Sequence, residues 1–126
     1  MTKMLCLSFV LSLTTAACGG DNGDSDLPVQ NRAVIVAGDF TPGSPGVMSS
    51  LDMETAAIEQ GVAPTGAVGD DPIVRRFGDE LFIVNRSDGN NITILDAVTL
   101  ELVEQLATGA GSNPQDVTVV GDELYV

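Results

Sequence analysis

The strongest constraint on the fold of this chain is that its sequence repeats at an interval of about 43 residues. The segment Gly-Asp-Glu-Leu-Phe-Ile at 78–83 recurs as Gly-Asp-Glu-Leu-Tyr-Val at 121–126, and Pro72 recurs as Pro114. Similarity at a regular interval of this size is the signature of a repeat protein, in which one supersecondary unit is copied along the chain. The repeat divides the chain into units at approximately 31–71, 72–113 and 114–126.

Within each unit, short runs rich in β-branched and aromatic residues alternate with turn residues, which predicts β-strands. The segment 100–107 also fits a helical period of 3.6. A strand is favoured there, because the equivalent segment of the preceding unit, 56–61, is too short for a stable helix. We therefore predict an all-β chain with a four-stranded antiparallel meander in each unit. The predicted strands are 33–37, 73–77, 81–85, 91–96, 100–106 and 115–120.

A four-stranded meander cannot bury both of its faces by itself, so its copies must pack on one another. Radial packing of such units gives a β-propeller, whose blades have four strands each. The first unit has only residues 27–32 before its first strand, which leaves no room for another strand, and the chain stops within a strand of the third unit. We expect about two blades' worth of a propeller, forming the N-terminal part of a longer protein.

The second unit resembles a known repeat. Phe-Ile-Val-Asn at 82–85 is similar to the Tyr-Val-Thr-Asn signature of YVTN β-propeller repeats, and Tyr-Val at 125–126 looks like the first half of that signature. Ile-Thr-Ile-Leu-Asp at 92–96 and Gly-Ser-Asn-Pro at 111–114 resemble two other parts of the same repeat. The resemblance is specific across the second and third units and looser across the first. It implies a propeller of several blades, in proteins usually described by their repeat rather than by a reaction.

The N-terminus has the layout of a secretory signal. Lys3 is followed by an apolar run at 4–13 and then by small residues that lead to Cys18. The apolar run is too short to span a bilayer, which takes about twenty residues. Thr-Ala-Ala-Cys at 15–18 resembles a bacterial lipobox, which implies removal of a signal peptide at 1–17 and acylation of Cys18, with palmitate among the chains. The alternative is ordinary signal cleavage that leaves Cys18 as a free thiol.

Residues 18–30 are mostly glycine and acidic or polar residues, and we expect a flexible acidic tether there. The whole chain has 18 acidic residues against 5 basic ones, a net charge of −13. Such a charge repels nucleic acid, so a nucleic-acid partner is not expected. Attachment would instead depend on the lipid, in the bacterial cell envelope. Gly19 stands where some bacteria use Asp as an inner-membrane retention signal, which favours the outer membrane.

The residue types present exclude several kinds of chemistry. The chain has no His, and its two cysteines are Cys6, which belongs to the signal, and Cys18. His-based triads, His metal sites and an internal disulfide framework are therefore excluded from this sequence. We predict no catalytic residue, metal site or cofactor.

Asp52 and Asp96 each follow the third predicted strand of their unit. An aspartate before a tight turn commonly accepts hydrogen bonds from backbone N–H groups of that turn. We interpret both as structural turn residues rather than as ligands or catalytic acids, and we interpret Asn85, at the entry to a loop, in the same way.

Four charged residues are candidates for ligand binding. Arg75 and Arg76 lie together on a predicted inner strand, where alternation directs one of them to the central channel. An arginine there could bind an anion or a ligand carboxylate. The alternative is pairing with a nearby acid: Asp70, Asp71 or Asp79. The first two of these acids precede the inner strand in a loop, where they could contact a cation or a sugar or simply be solvated.

Two hypotheses of function follow. The first is a non-enzymatic binding or scaffold module that contacts a protein or glycan partner through its loops. The alternative is a propeller hydrolase or lactonase-like enzyme whose active site lies in C-terminal blades beyond this sequence, since a fold alone does not specify a function.

Overall fold

A computed structural model of the protein describes residues 31–126, which contain nine β-strands and no helix. The predicted signal peptide, Cys18 and the predicted tether at 18–30 lie outside the described residues. In chain order the strands are β1 (Arg32–Ala37), β2 (Val47–Asp52), β3 (Ile58–Gln60), β4 (Pro72–Phe77), β5 (Glu80–Asn85), β6 (Asn91–Asp96), β7 (Leu102–Ala107), β8 (Thr118–Val120) and β9 (Glu123–Tyr125).

The strands form three separate antiparallel sheets, and each strand pairs only with its neighbours in the chain. The first sheet has the order β1-β2-β3, the second β4-β5-β6-β7, and the third β8-β9. The prediction of an all-β chain built from antiparallel meanders is confirmed. The second unit has the predicted four strands, and the ambiguous segment at its end is a strand.

Two predicted strands are shorter in the structure than the sequence indicated. β7 begins at Leu102 because Leu100 has a positive φ of 62°, a left-handed conformation that belongs to the preceding turn. β8 begins at Thr118, three residues after the predicted start at position 115. In the segment between these two positions, the carboxylate of Asp116 accepts a hydrogen bond from the N–H of Val117 at 2.8 Å.

The second sheet is covered on both faces, because alternate side chains of its central strands point to opposite sides. The side chains that pack with Met48 of the first sheet are Leu81, Ile83 and Leu95. Those that pack with Val117, beside the third sheet, are Phe82, Val84, Ile92 and Ile94. Full burial of an aliphatic side chain contributes about 1.5–3 kcal/mol relative to exposure. The three sheets are therefore held together mainly by the two apolar layers between them.

Backbone hydrogen bonds join the first two sheets as well. The linker into β4 runs beside the loop between β1 and β2, where the N–H of Gly46 donates to the carbonyl of Val68 at 2.9 Å and that of Phe40 to the carbonyl of Asp70 at 3.1 Å. This close approach positions the start of β4 next to β1.

Candidate functional site

Asp52 and Asp96 lie in two turns with the same hydrogen bonds. In each turn the Oδ1 atom accepts backbone N–H groups two and three residues further along, at 2.7–2.9 Å. The N–H of the fourth residue, Ala56 or Leu100, donates to the aspartate carbonyl at 2.9 Å, and this residue has a φ of 59° or 62°. The N–H of the threonine in each turn is the main reason that the pKa of both carboxyl groups is lowered. Both aspartates are thus engaged by their own turns.

Asn85 joins two strands to the linker that precedes β4. Only 1% of the residue is exposed. Its Oδ1 accepts the N–H of Gly69 at 2.8 Å, and its Nδ2 donates to the carbonyl of Ala67 at 3.1 Å. The same Nδ2 lies 2.7 Å from Oδ1 of Asn91 and 3.2 Å from Oγ1 of Thr93. The amide is surrounded by protein groups that use both its oxygen and its nitrogen.

Asp70 and Asp71 are separated from the arginines that were predicted alongside them. Asp71 forms an ion pair with Arg86. Asp70 is 2% exposed, and its Oδ2 has no hydrogen-bond partner among residues 31–126. It lies in the wall of a cavity of about 250 Å³, together with Asn85 and Asp88. The four candidate residues therefore belong to two different places in the structure.

Arg75 and Arg76 point toward different sheets. Arg75 forms a two-point ion pair with Asp116 beside the third sheet, with Nε 2.9 Å from Oδ1 and Nη2 3.0 Å from Oδ2. This pairing is the main cause of the lowered pKa of the Asp116 carboxyl group. Arg76 donates from Nε to the carbonyl of Gly78 at 3.0 Å. Neither arginine pairs with any of the three acids that the sequence offered as alternatives.

The two arginines share one cavity of about 220 Å³ with a third, Arg32 of β1. Residues 31–126 contain four arginines and no lysine, and three of these four basic residues line this cavity, although the guanidinium group of Arg75 is directed to Asp116. No acidic residue lines the cavity. The rest of the wall is apolar and consists of Val34, Val74, Leu81 and Ala97.

Two of the three arginines that line the cavity have guanidinium N–H groups without a hydrogen-bond partner among the described residues. Nη2 of Arg32 donates to the carbonyls of Ala97 and Val98 at 2.9 and 2.8 Å, so its Nε and Nη1 have no partner within residues 31–126. Arg76 uses only Nε, and both of its terminal nitrogens are likewise without a partner there. A guanidinium group has the planar fork that binds a carboxylate at two points. This cavity has the charge and the donors of an anion site.

The sequence gives little indication of the role of Arg32. It lies more than forty positions before Arg75 and precedes the segment that resembles the family repeat. The one signal that could have indicated it is the scarcity of basic residues in an acidic chain. Its position became evident only from the packing of β1 beside β4.

Within residues 31–126 no group of three or more His, Cys, Asp or Glu side chains could hold a metal ion. Among residues 31–126 there is no helix that could span a membrane. Comparison of the chain with protein-family models, curated proteins and solved structures finds no significant match. The fold and the site together define an all-β protein of stacked antiparallel sheets with an arginine-lined cavity.

Proposed function

We propose that this protein is a lipid-anchored binding module of the bacterial cell envelope, and that it binds a protein or glycan partner through a carboxylate group. The observation that carries the proposal is the cavity of Arg32, Arg75 and Arg76, which has no acid in its wall although the chain has a net charge of −13. A positive site within an acidic surface attracts an anion locally, and low-dielectric walls strengthen that attraction.

We also propose that the sheets are blades of a β-propeller. Phe77 and Phe82 lie on the face of the second sheet that the third sheet covers, with their rings 5.5 Å apart. The repeat places Val120 and Tyr125 at the same positions of the third sheet, where they are 62% and 52% exposed. A further sheet of the same kind would cover them. An experimental structure of the protein in which both side chains remain in solvent would contradict this architecture.

The anchor is the part of the proposal that depends on Cys18. We expect Cys18→Ala to move the protein from the detergent fraction to the aqueous fraction after phase separation of cell extracts, because the thiol that carries the acyl chains is removed. Cys6→Ala is the matched control, since Cys6 lies within the predicted signal and should not affect partitioning. Unchanged partitioning of the Cys18 variant would contradict the lipid anchor.

Binding can be tested with short peptide acids and oligogalacturonates, each compared with its neutral form, an amide or a methyl ester. We expect at least one acid to bind and its neutral form to bind at least tenfold more weakly by calorimetry, because charge-assisted hydrogen bonds to arginine are lost. Arg76→Gln should weaken the binding of the acid by about tenfold or more.

Arg86→Gln is the control for net charge, because Arg86 pairs with Asp71 and does not line the cavity. It should leave the affinity within about twofold of the parent protein, because it removes the same charge far from the bound carboxylate. Absence of binding by every acid, or equal binding of acids and neutral forms, would contradict the proposed function.

A further inference from the structure

We infer that the group that enters the arginine-lined cavity is the C-terminal carboxylate of a peptide whose last side chain is aliphatic. This inference rests on the proposed function, which leaves open whether the partner is a protein or a glycan. Three features of the described residues favour the protein: the composition of the wall, the number of charges that the site can accept, and the free edges of the strands that line it.

The wall of the cavity suits an aliphatic group better than a sugar. Beside the arginines it consists of Val34, Val74, Leu81 and Ala97. It has no aromatic ring on which a sugar could stack and no amide, hydroxyl or carboxylate side chain to bind sugar hydroxyls. The volume of about 220 Å³ equals that of roughly seven water molecules in the liquid. This is enough for a carboxylate and one short aliphatic side chain.

The charges around the cavity favour a ligand with one carboxylate. Arg32 and Arg76 approach from different sheets and have donors without a partner in the described chain, whereas Arg75 already binds Asp116 at two points. A single carboxylate can receive hydrogen bonds from both available guanidinium groups. A polymer with a carboxylate on every unit would extend beyond the cavity and meet the acidic remainder of the protein, which would repel it.

The two strands that contribute arginines can also bind peptide backbone. Within residues 31–126, β1 pairs only with β2, and β4 pairs only with β5. The second edge of each strand therefore has no strand partner in this part of the chain. An extended peptide can add to such an edge through main-chain hydrogen bonds while a pocket binds its terminal residue.

The test uses the probe acetyl-Gly-Ala-Ala-Val with a free C-terminal carboxylate and measures affinity by calorimetry on the whole protein. We expect its C-terminal amide to bind at least tenfold more weakly. Replacing the last residue by glycine removes three carbons, and each buried methylene is worth about fourfold in affinity, so this peptide should also bind at least tenfold more weakly. Arg76→Gln should weaken binding of the valine acid by about tenfold or more, with Arg86→Gln as the control.

The comparison of acid, amide and glycine peptides needs no variant, so it remains valid if a substitution disturbs folding. Equal binding of the acid and the amide, or of the valine and glycine acids, would overturn the inference. Binding of trigalacturonate without binding of the valine acid would overturn the inference and leave the proposed function standing. Absence of binding by peptide acids and galacturonates alike would overturn both.

Discussion

Gly46→Ala is expected to lower the free energy of unfolding by about 3 kcal/mol or more, because overpacking against atoms that cannot rotate away is costly. A Cβ atom at this position would lie 2.2 Å from the carbonyl oxygen of Gly69 and 2.8 Å from that of Ala37. Both contacts are with backbone. Relief would require the linker to move away from the loop, which would break the hydrogen bond of 2.9 Å from Gly46 to Val68. Urea unfolding followed by circular dichroism measures the loss.

Gly43→Ala is the matched control in the same loop. Gly43 has a φ of 75°, but a Cβ atom there would meet nothing within 4 Å. The control therefore includes the cost of a left-handed alanine, about 1 kcal/mol, without a clash. If the two variants proved equally stable, the close packing of the linker on the loop would be wrong.

Asn85→Asp is expected to destabilise the protein by about 3–5 kcal/mol, the usual cost of a buried charge without a compensating partner. The new oxygen would replace an Nδ2 that donates to Ala67 and lies 2.7 Å from Oδ1 of Asn91, so oxygen atoms would face one another. The loss of stability should become smaller as the pH is lowered, because the protonated aspartic acid at position 85 has an O–H donor in place of the lost N–H donors. Urea unfolding at neutral and acidic pH measures both effects.

Asn113→Asp provides the comparison at an exposed position. The Oδ1 of Asn113 accepts the N–H of Ser87 at 2.8 Å, and no hydrogen bond among the described residues uses its Nδ2. A carboxylate can accept the same bond, so the change in stability should stay below about 1 kcal/mol. Similar losses of stability in the two variants would show that the hydrogen bonds of the buried Asn85 amide do not stabilise the fold as proposed.

The turns show how far local sequence can predict structure. Asp52 and Asp96 each accept N–H groups two and three residues further along, so the two turns are alike although their segments share only the aspartate and the threonine. The strand boundaries were predicted less well where a residue has an unusual conformation. Leu100 is apolar and buried, which suited a strand, but its positive φ belongs to the turn.

The arginine-lined cavity shows the limit of that approach. Arg75 and Arg76 were recognised as candidates because they are adjacent in an acidic chain, but their partners were not predicted. Arg75 binds Asp116, 41 positions later, and the third arginine of the cavity is Arg32, on a strand of another sheet. Neither the ion pair with Asp116 nor the approach of Arg32 can be predicted from neighbouring residues in the sequence, because both depend on how one sheet packs on the next.

The amino-acid sequence alone indicated an all-β chain, the four strands of the second unit, the turns at Asp52 and Asp96, and the repetition of the units. Strand alternation and turn hydrogen bonds involve residues a few positions apart, so the information for them is local. Only the tertiary structure decided that Asp70 is buried apart from the arginines and that Arg32 joins them. These relations arise when apolar faces of separate sheets are buried against each other, which brings distant residues together according to the shape of the layers rather than their spacing in the chain.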